Sequence, residues 1–161
     1  MTYYQDLSTY VYSNQQCENT RNIGWLTHGH DFQIGAPAQV FLEKLWEYCK
    51  VSVMQTRGIH SCELCDDSEA FVAEWNGTRL ILGSSEIRVF DHDGTIFAAP
   101  TLIFHYVLRH QYQPPTSFRE AVTTSLGPPD KTYFERLTSL NIEWSLTSKP
   151  VPGLIRRAKG T

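Results

Sequence analysis

What this sequence lacks narrows its class quickly. The longest nearly apolar stretch, Thr95 to Phe104, covers about ten residues and contains Pro100, whereas a membrane span needs about 18 or more. The opening Met1-Thr-Tyr-Tyr-Gln-Asp6 has neither a basic patch nor an apolar run, so no secretory signal is expected. Positive charge is not in excess: fourteen Lys and Arg face seventeen Asp and Glu, for a net charge of −3. That balance disfavours a globally basic nucleic-acid binder. There is no internal repeat and no low-complexity block. His-Glu-x-x-His, Gly-x-Ser-x-Gly and the Gly-x4-Gly-Lys-Ser/Thr phosphate loop are all missing, so no nucleophile–base pair or phosphate cradle can be named from spacing.

What is present describes a folded domain. The 161 residues are 41% hydrophobic and 12% aromatic, too apolar for a disordered chain. A chain of this length buries roughly 70% of the surface its unfolded form exposes. From Pro37 onward, Phe41, Leu45 and Cys49 recur every four residues, flanked by Leu42 and Trp46. This predicts an amphipathic helix with Pro37 in its first turn and Cys49 as a small buried hydrophobe. Asn22 to Thr27 is a strand candidate. Ala70–Trp75 and Thr78–Leu82 flank Asn76-Gly77, a strong hairpin signal, and Ile87–Phe90 and Thr95–Ala98 flank a second turn, Asp91-His-Asp-Gly94. Pro100 is read as opening a helix with Leu102, Ile103, Tyr106 and Val107 at helical spacing, stopped by Pro114-Pro115. Thr116 to Leu126 reads as another helix, capped by Thr116 or Ser117. Gly127-Pro-Pro-Asp130 marks a boundary, followed by a short helix near Tyr133 to Leu140. We therefore expect a zinc-stabilised α+β domain over 1–126, with 127–161 forming a C-terminal helix and a tail that is basic from Lys149 onward.

The chemistry concentrates in Cys62-x2-Cys65 and His105-x4-His110. Two thiolates in a tight knuckle supply two corners of a tetrahedron, and a His pair spaced by three to five residues is a usual source of the other two. Soft thiolates beside imidazoles select Zn²⁺. Knuckle, hairpins, then a ligand-bearing helix is a treble-clef-like order, with the Pro37 helix flanking it. The His105–His110 spacing predicts a helix that bends or tightens near its end. His60, two residues before Cys62, is an alternative fourth ligand in place of either histidine. Paired thiols at this spacing, without a secretory signal, also point to a reducing, cytoplasmic setting; Cys17 has no evident partner.

Catalytic readings fit less well. His60-x-Cys62-Glu63-x-Cys65 departs from zinc deaminases, which need His-x-Glu and a separate Pro-Cys-x-x-Cys. His28-Gly-His30-Asp31 departs from the His-x-His-x-Asp-His run of metallo-β-lactamase-type hydrolases by an early aspartate and a missing closing histidine. A metal-dependent hydrolase or nuclease using His92, oriented by Asp91 or Asp93, or using the His28/His30 loop, stays open as the alternative. The leading expectation is a non-catalytic zinc-binding module whose partner is another protein, of adaptor or immunity type. Nucleic-acid binding through Arg156, Arg157 and Lys159 is disfavoured by the acidic balance, and a membrane role by the absence of a span.

Several stretches also carry a resemblance. Asn22-Ile-Gly-Trp-Leu26, Arg57-Gly-Ile-His-Ser-Cys-Glu-Leu-Cys65, Leu82-Gly-Ser-Ser-Glu-Ile-Arg-Val89, Ala98-Ala-Pro-Thr-Leu-Ile-Phe-His-Tyr-Val107 and His110-Gln-Tyr-Gln-Pro-Pro115 with Phe118 are similar to a family of small uncharacterised bacterial proteins, a domain of unknown function. The resemblance spans roughly residues 3 to 125 and leaves the segment after Gly127 outside. It implies a free-standing bacterial cytoplasmic domain, often alone in its chain, and no particular activity.

Overall fold

A computed structural model describes residues 1–11, 18–67 and 71–147, together with the backbone of 149–150. Cys17, Arg156, Arg157 and Lys159 lie outside the described residues. The elements run β1 (Thr20–Asn22), α1 (Gln39–Cys49), β2 (Val51–Val53), β3 (Val72–Trp75), β4 (Thr78–Ile81), β5 (Glu86–Phe90), β6 (Ile96–Pro100), α2 (Ile103–His110), α3 (Thr116–Thr124), α4 (Lys131–Ser139), β7 (Trp144–Leu146) and β8 (Lys149–Pro150). Helices and two sheets mix as the α+β reading expected, and knuckle, hairpins and histidine-bearing helix follow one another in the expected order. No helix among the described residues is long and apolar enough to cross a membrane.

Local chemistry explains most of these elements. Asn76 and Gly77 both adopt positive φ, 48° and 74°, which a two-residue turn of the right twist requires, and β3 pairs with β4 across them. In the second hairpin the Asp91 and Asp93 carboxylates accept the His92 and Thr95 amides, so these acids are spent on holding the turn. Helix α1 buries the expected Phe41, Leu42, Leu45, Trp46 and Cys49, and Tyr48 with them. It begins at Gln39, leaving Pro37 just outside rather than in its first turn. Likewise β6 runs through Pro100, so α2 opens at Ile103 instead of at the proline. Helix α3 starts after Pro115 with no side-chain cap, whereas Asp130 caps α4 by accepting the Thr132 amide at 2.8 Å.

The principal sheet has the order β1-β6-β5-β2-β7. Strand β1 lies parallel to β6, with Thr20 opposite Ile96 and Asn22 opposite Ala98, so the strand expected at Asn22–Thr27 instead ends at Asn22. Strand β5 is buried along its whole length. Ile87 and Val89 face one side and Glu86, Arg88 and Phe90 the other, so both faces of the sheet are covered there. Helices α1 and α3 pack on β5, and a ring cluster of Phe41, Phe97 and Phe118 joins helix to sheet. Beyond the cis Pro128–Pro129 turn, Tyr133, Leu137 and Ile142 enter the same core, and β7 adds to the edge of the sheet beside β2. The smaller sheet, β3-β4-β8, leans on α2 through Trp75, whose ring meets Phe104 edge-on at 5.6 Å.

Candidate metal centre

The cysteine knuckle is positioned from outside itself. The segment leading into it lies along Gly83-Ser84: the Thr56 amide donates to Ser84 O at 2.7 Å and the His60 amide to Gly83 O at 2.9 Å. Gly83 has φ +85°, and a Cβ there would lie 2.0 Å from the His60 carbonyl oxygen. Only glycine permits this approach of the two backbones. Immediately after it, residues 62–65 turn so that Cys62 is 3% exposed while Cys65 stays partly open. Glu63, between the thiols, forms an ion pair with the Met1 amino group at 2.6 Å, which lowers its pKa.

The histidines come from the short helix α2. Five residues is one too many for stacking on a regular α-helix. The structure resolves this differently from the expected tightening, because the closing bond is wide. The Gln111 N–H reaches Tyr106 O, five residues back rather than four, and Gln111 takes the left-handed conformation at φ 53°. The Tyr112 amide reaches the same carbonyl at 3.1 Å, sealing the end. The His105 and His110 rings thereby come to 5.3 Å between centroids.

Four donors converge. Cys65 Sγ lies 3.2 Å from both His105 Nε2 and His110 Nε2, and Cys62 Sγ lies 3.3 Å from His110 Nε2. All four ligand atoms fall within 4.8 Å of one another. Hydrogen bonding alone does not account for this grouping. His110 Nε2 has one in-plane hydrogen or lone pair but two sulfur neighbours, so it serves only one of them at a time. A cation between the donors engages all four. A tetrahedral zinc with Zn–S of about 2.3 Å and Zn–N of about 2.0 Å has S···N edges of about 3.5 Å. The observed separations are close to that, and the donor set fits. These four residues can hold a metal ion.

Electrostatics point the same way. Burial holds His105 down to about 4, helped by the nearby His110 and Arg109 charges, so its ring is neutral and free to donate a lone pair. Burial lowers His110 as well. Burial pushes the Cys62 thiol up to about 11, so without a cation that sulfur stays protonated; metal binding must expel the proton. The consequence for His105 has a definite sign. An unfolded imidazole protonates near 6.5 whereas the folded one waits until about 4, so stability is complete above about pH 6.5 and falls as pH drops toward 4. Urea denaturation across this window should show a steadily falling midpoint. A midpoint constant down to about pH 4.5 would contradict the buried neutral imidazole.

The other sequence candidates lie elsewhere. His60 is exposed and lines a separate cleft, and the group that could hold a metal ion includes His110 and not His60. His28 and His30 are exposed, and the His30 ring stacks on Tyr3 at 3.6 Å. His92 is exposed in the β5–β6 turn, within 3.4 Å of the Thr124 hydroxyl. Among the described residues none of the three belongs to a group able to hold a metal. Cys49 is buried in the core, as expected, with its thiol against Thr101 O. Sequence reasoning missed one polar cluster entirely: Glu86, Arg88 and Tyr10 form a buried ion pair with a bridging phenol. Two opposite charges in an otherwise apolar strand were the available signal.

No curated protein and no solved structure matches this chain. Residues 2–123 match the model of a family described as Domain of unknown function (DUF7919), and the chain belongs to that family.

Proposed function

We propose that Cys62, Cys65, His105 and His110 bind a zinc ion that fixes the knuckle against α2, and that the domain is a non-catalytic interaction module recognising another protein in a bacterial cytoplasm. The observation that carries this reading is the donor count: four protein atoms within 4.8 Å fill a tetrahedron. A catalytic zinc keeps one position for water, and this set leaves none. Two thiolates also put negative charge on the ion, making it a weaker Lewis acid than a histidine-rich site. Support for a protein partner comes from β7. It is the last strand in the order of the principal sheet, and its Trp144 and Leu146 are 40% and 66% exposed. An outer strand with apolar side chains invites an extended segment of a partner to add to it.

The test has two arms. Purified protein with its metal should hydrolyse neither nucleic acid, phosphoesters nor β-lactams above a buffer blank. Hydrolysis that survives purification and disappears in His92→Ala or His28→Ala, with the fold intact, would replace this reading by the hydrolase alternative. In the second arm, a partner captured by the wild-type chain should be lost with Leu146→Glu at unchanged melting temperature. Equal capture by that variant removes β7 as the contact.

A further inference from the structure

On the face of the principal sheet away from Ile87 and Val89, a cleft of about 370 Å³ opens between five segments far apart in sequence. Its size is that of small-molecule sites, which run to about 300–1,000 Å³. Trp25, Met54 and Pro100 give it apolar walls, while Thr56, His60 and Ser84 add polar groups. Glu86, 3% exposed, lines the cleft with Ser85 beside it.

Met1 and Thr2 also line the cleft, and the Met1 ammonium is already paired with Glu63 at 2.6 Å, so the buried charge left to the cleft is that of Glu86. Glu86 Oε2 pairs with Arg88 Nη1 at 2.6 Å, and the Tyr10 hydroxyl donates to Glu86 while accepting from Arg88 Nη2. Arg88 does not line the cleft. The pair therefore turns its negative end toward the opening and keeps its positive end in the protein. A carboxylate accepts about four hydrogen bonds, and Tyr10 and Arg88 leave lone pairs on Glu86 unused. Burial raises the pKa of Glu86 in spite of Arg88, so the carboxylate is under-solvated where it sits. The wall is pre-formed, because the Gly83–His60 contact fixes the two loops that frame it.

We infer that this cleft binds a small organic cation, an ammonium or guanidinium group on an apolar body, with Glu86 taking the charged end. The body lies against Trp25, Met54 and Pro100. An anion would face the carboxylate and is excluded; a neutral isostere loses the charged contact.

The experiment titrates the full chain, as purified with its metal, with 2-phenylethylammonium, n-hexylammonium and agmatine, against 3-phenylpropionate and 2-phenylethanol. Readouts are melting temperature and the amide NMR signals of Ser84, Ser85 and His60. At least one cation should shift both saturably, and the carboxylate and alcohol should not. Ser84→Trp, which fills the cleft, should abolish the shifts with metal content retained. Glu86→Gln should weaken binding by about tenfold or more, the worth of a charge-assisted hydrogen bond. Failure of every cation to saturate, equal binding of the anion or alcohol, or unchanged binding in Ser84→Trp each overturns the inference. If one variant does not fold, the wild-type cation-against-anion comparison and the other variant decide it.

Discussion

Cys62→Ser and Cys65→Ser are each expected to melt far below the wild type or to lose solubility. The four donors come from a loop and from a short helix some forty residues later. A metal bound only by the folded arrangement contributes its binding free energy to folding, on the order of several kcal/mol or more. Total stability of a domain is about 5–15 kcal/mol, so losing that contribution is visible in any melt. The same result should follow chelation of the wild type. His92→Ala is the control: the ring is exposed and makes one long contact to Thr124, so its loss should stay within about 0.5 kcal/mol. Equal melting temperatures for the cysteine variants and His92→Ala would contradict a structural metal.

Gly83→Ala is expected to be as damaging without touching a ligand. Two costs add. The residue sits at φ +85°, a conformation that costs an L side chain about 1–3 kcal/mol. Its new Cβ would also meet the His60 carbonyl oxygen at 2.0 Å, where backbone and not a flexible side chain must give way. Forced repacking of that kind costs about 1–3 kcal/mol more. Because the displaced segment leads into Cys62, metal affinity should fall along with stability. Two other glycines separate the causes. At Gly77, φ is +74° but nothing lies within 4 Å, so Gly77→Ala pays only the conformational part. Gly58 has open space and no positive φ, so Gly58→Ala should be nearly silent. Denaturant midpoints in the order Gly58→Ala, Gly77→Ala, Gly83→Ala, from highest to lowest, support this account; a Gly83→Ala midpoint matching that of Gly77→Ala would show that the His60 contact is not what fixes the loop.

The parts of this molecule that sequence reveals are those set by local rules. Asn76-Gly77 announces its hairpin because few dipeptides tolerate two positive φ values, and α1 announces itself by its apolar stripe. The four residues able to hold a metal are legible because Cys-x2-Cys and a histidine pair at that spacing match a common ligand pattern. What escapes is non-local. Val51-Ser-Val53 directly follows a helix and is too short for an alternating pattern, and it becomes a strand only because β5 and β7 flank it. The β1–β6 parallel pair has no local signature at all. His60 lies nearest the cysteines in sequence, yet its backbone is committed to Gly83 and the residue lines another cleft. His110 joins the four-residue group at the end of α2, which a five-residue hydrogen-bonded closure, not foretold by spacing alone, completes. For Glu86 and Arg88 two opposite charges in an apolar strand are the one local hint, and the coverage of both sheet faces is what makes them a buried pair.

The central claim is that a zinc ion sits among Cys62, Cys65, His105 and His110. The most direct measurement is elemental analysis of tag-free, chelator-washed protein, followed by X-ray absorption at the edge of the metal found. The account predicts about one zinc per chain, ligated by about two sulfurs and two nitrogens. Well-folded protein free of metal, or a metal bound by oxygen and nitrogen alone, would contradict it.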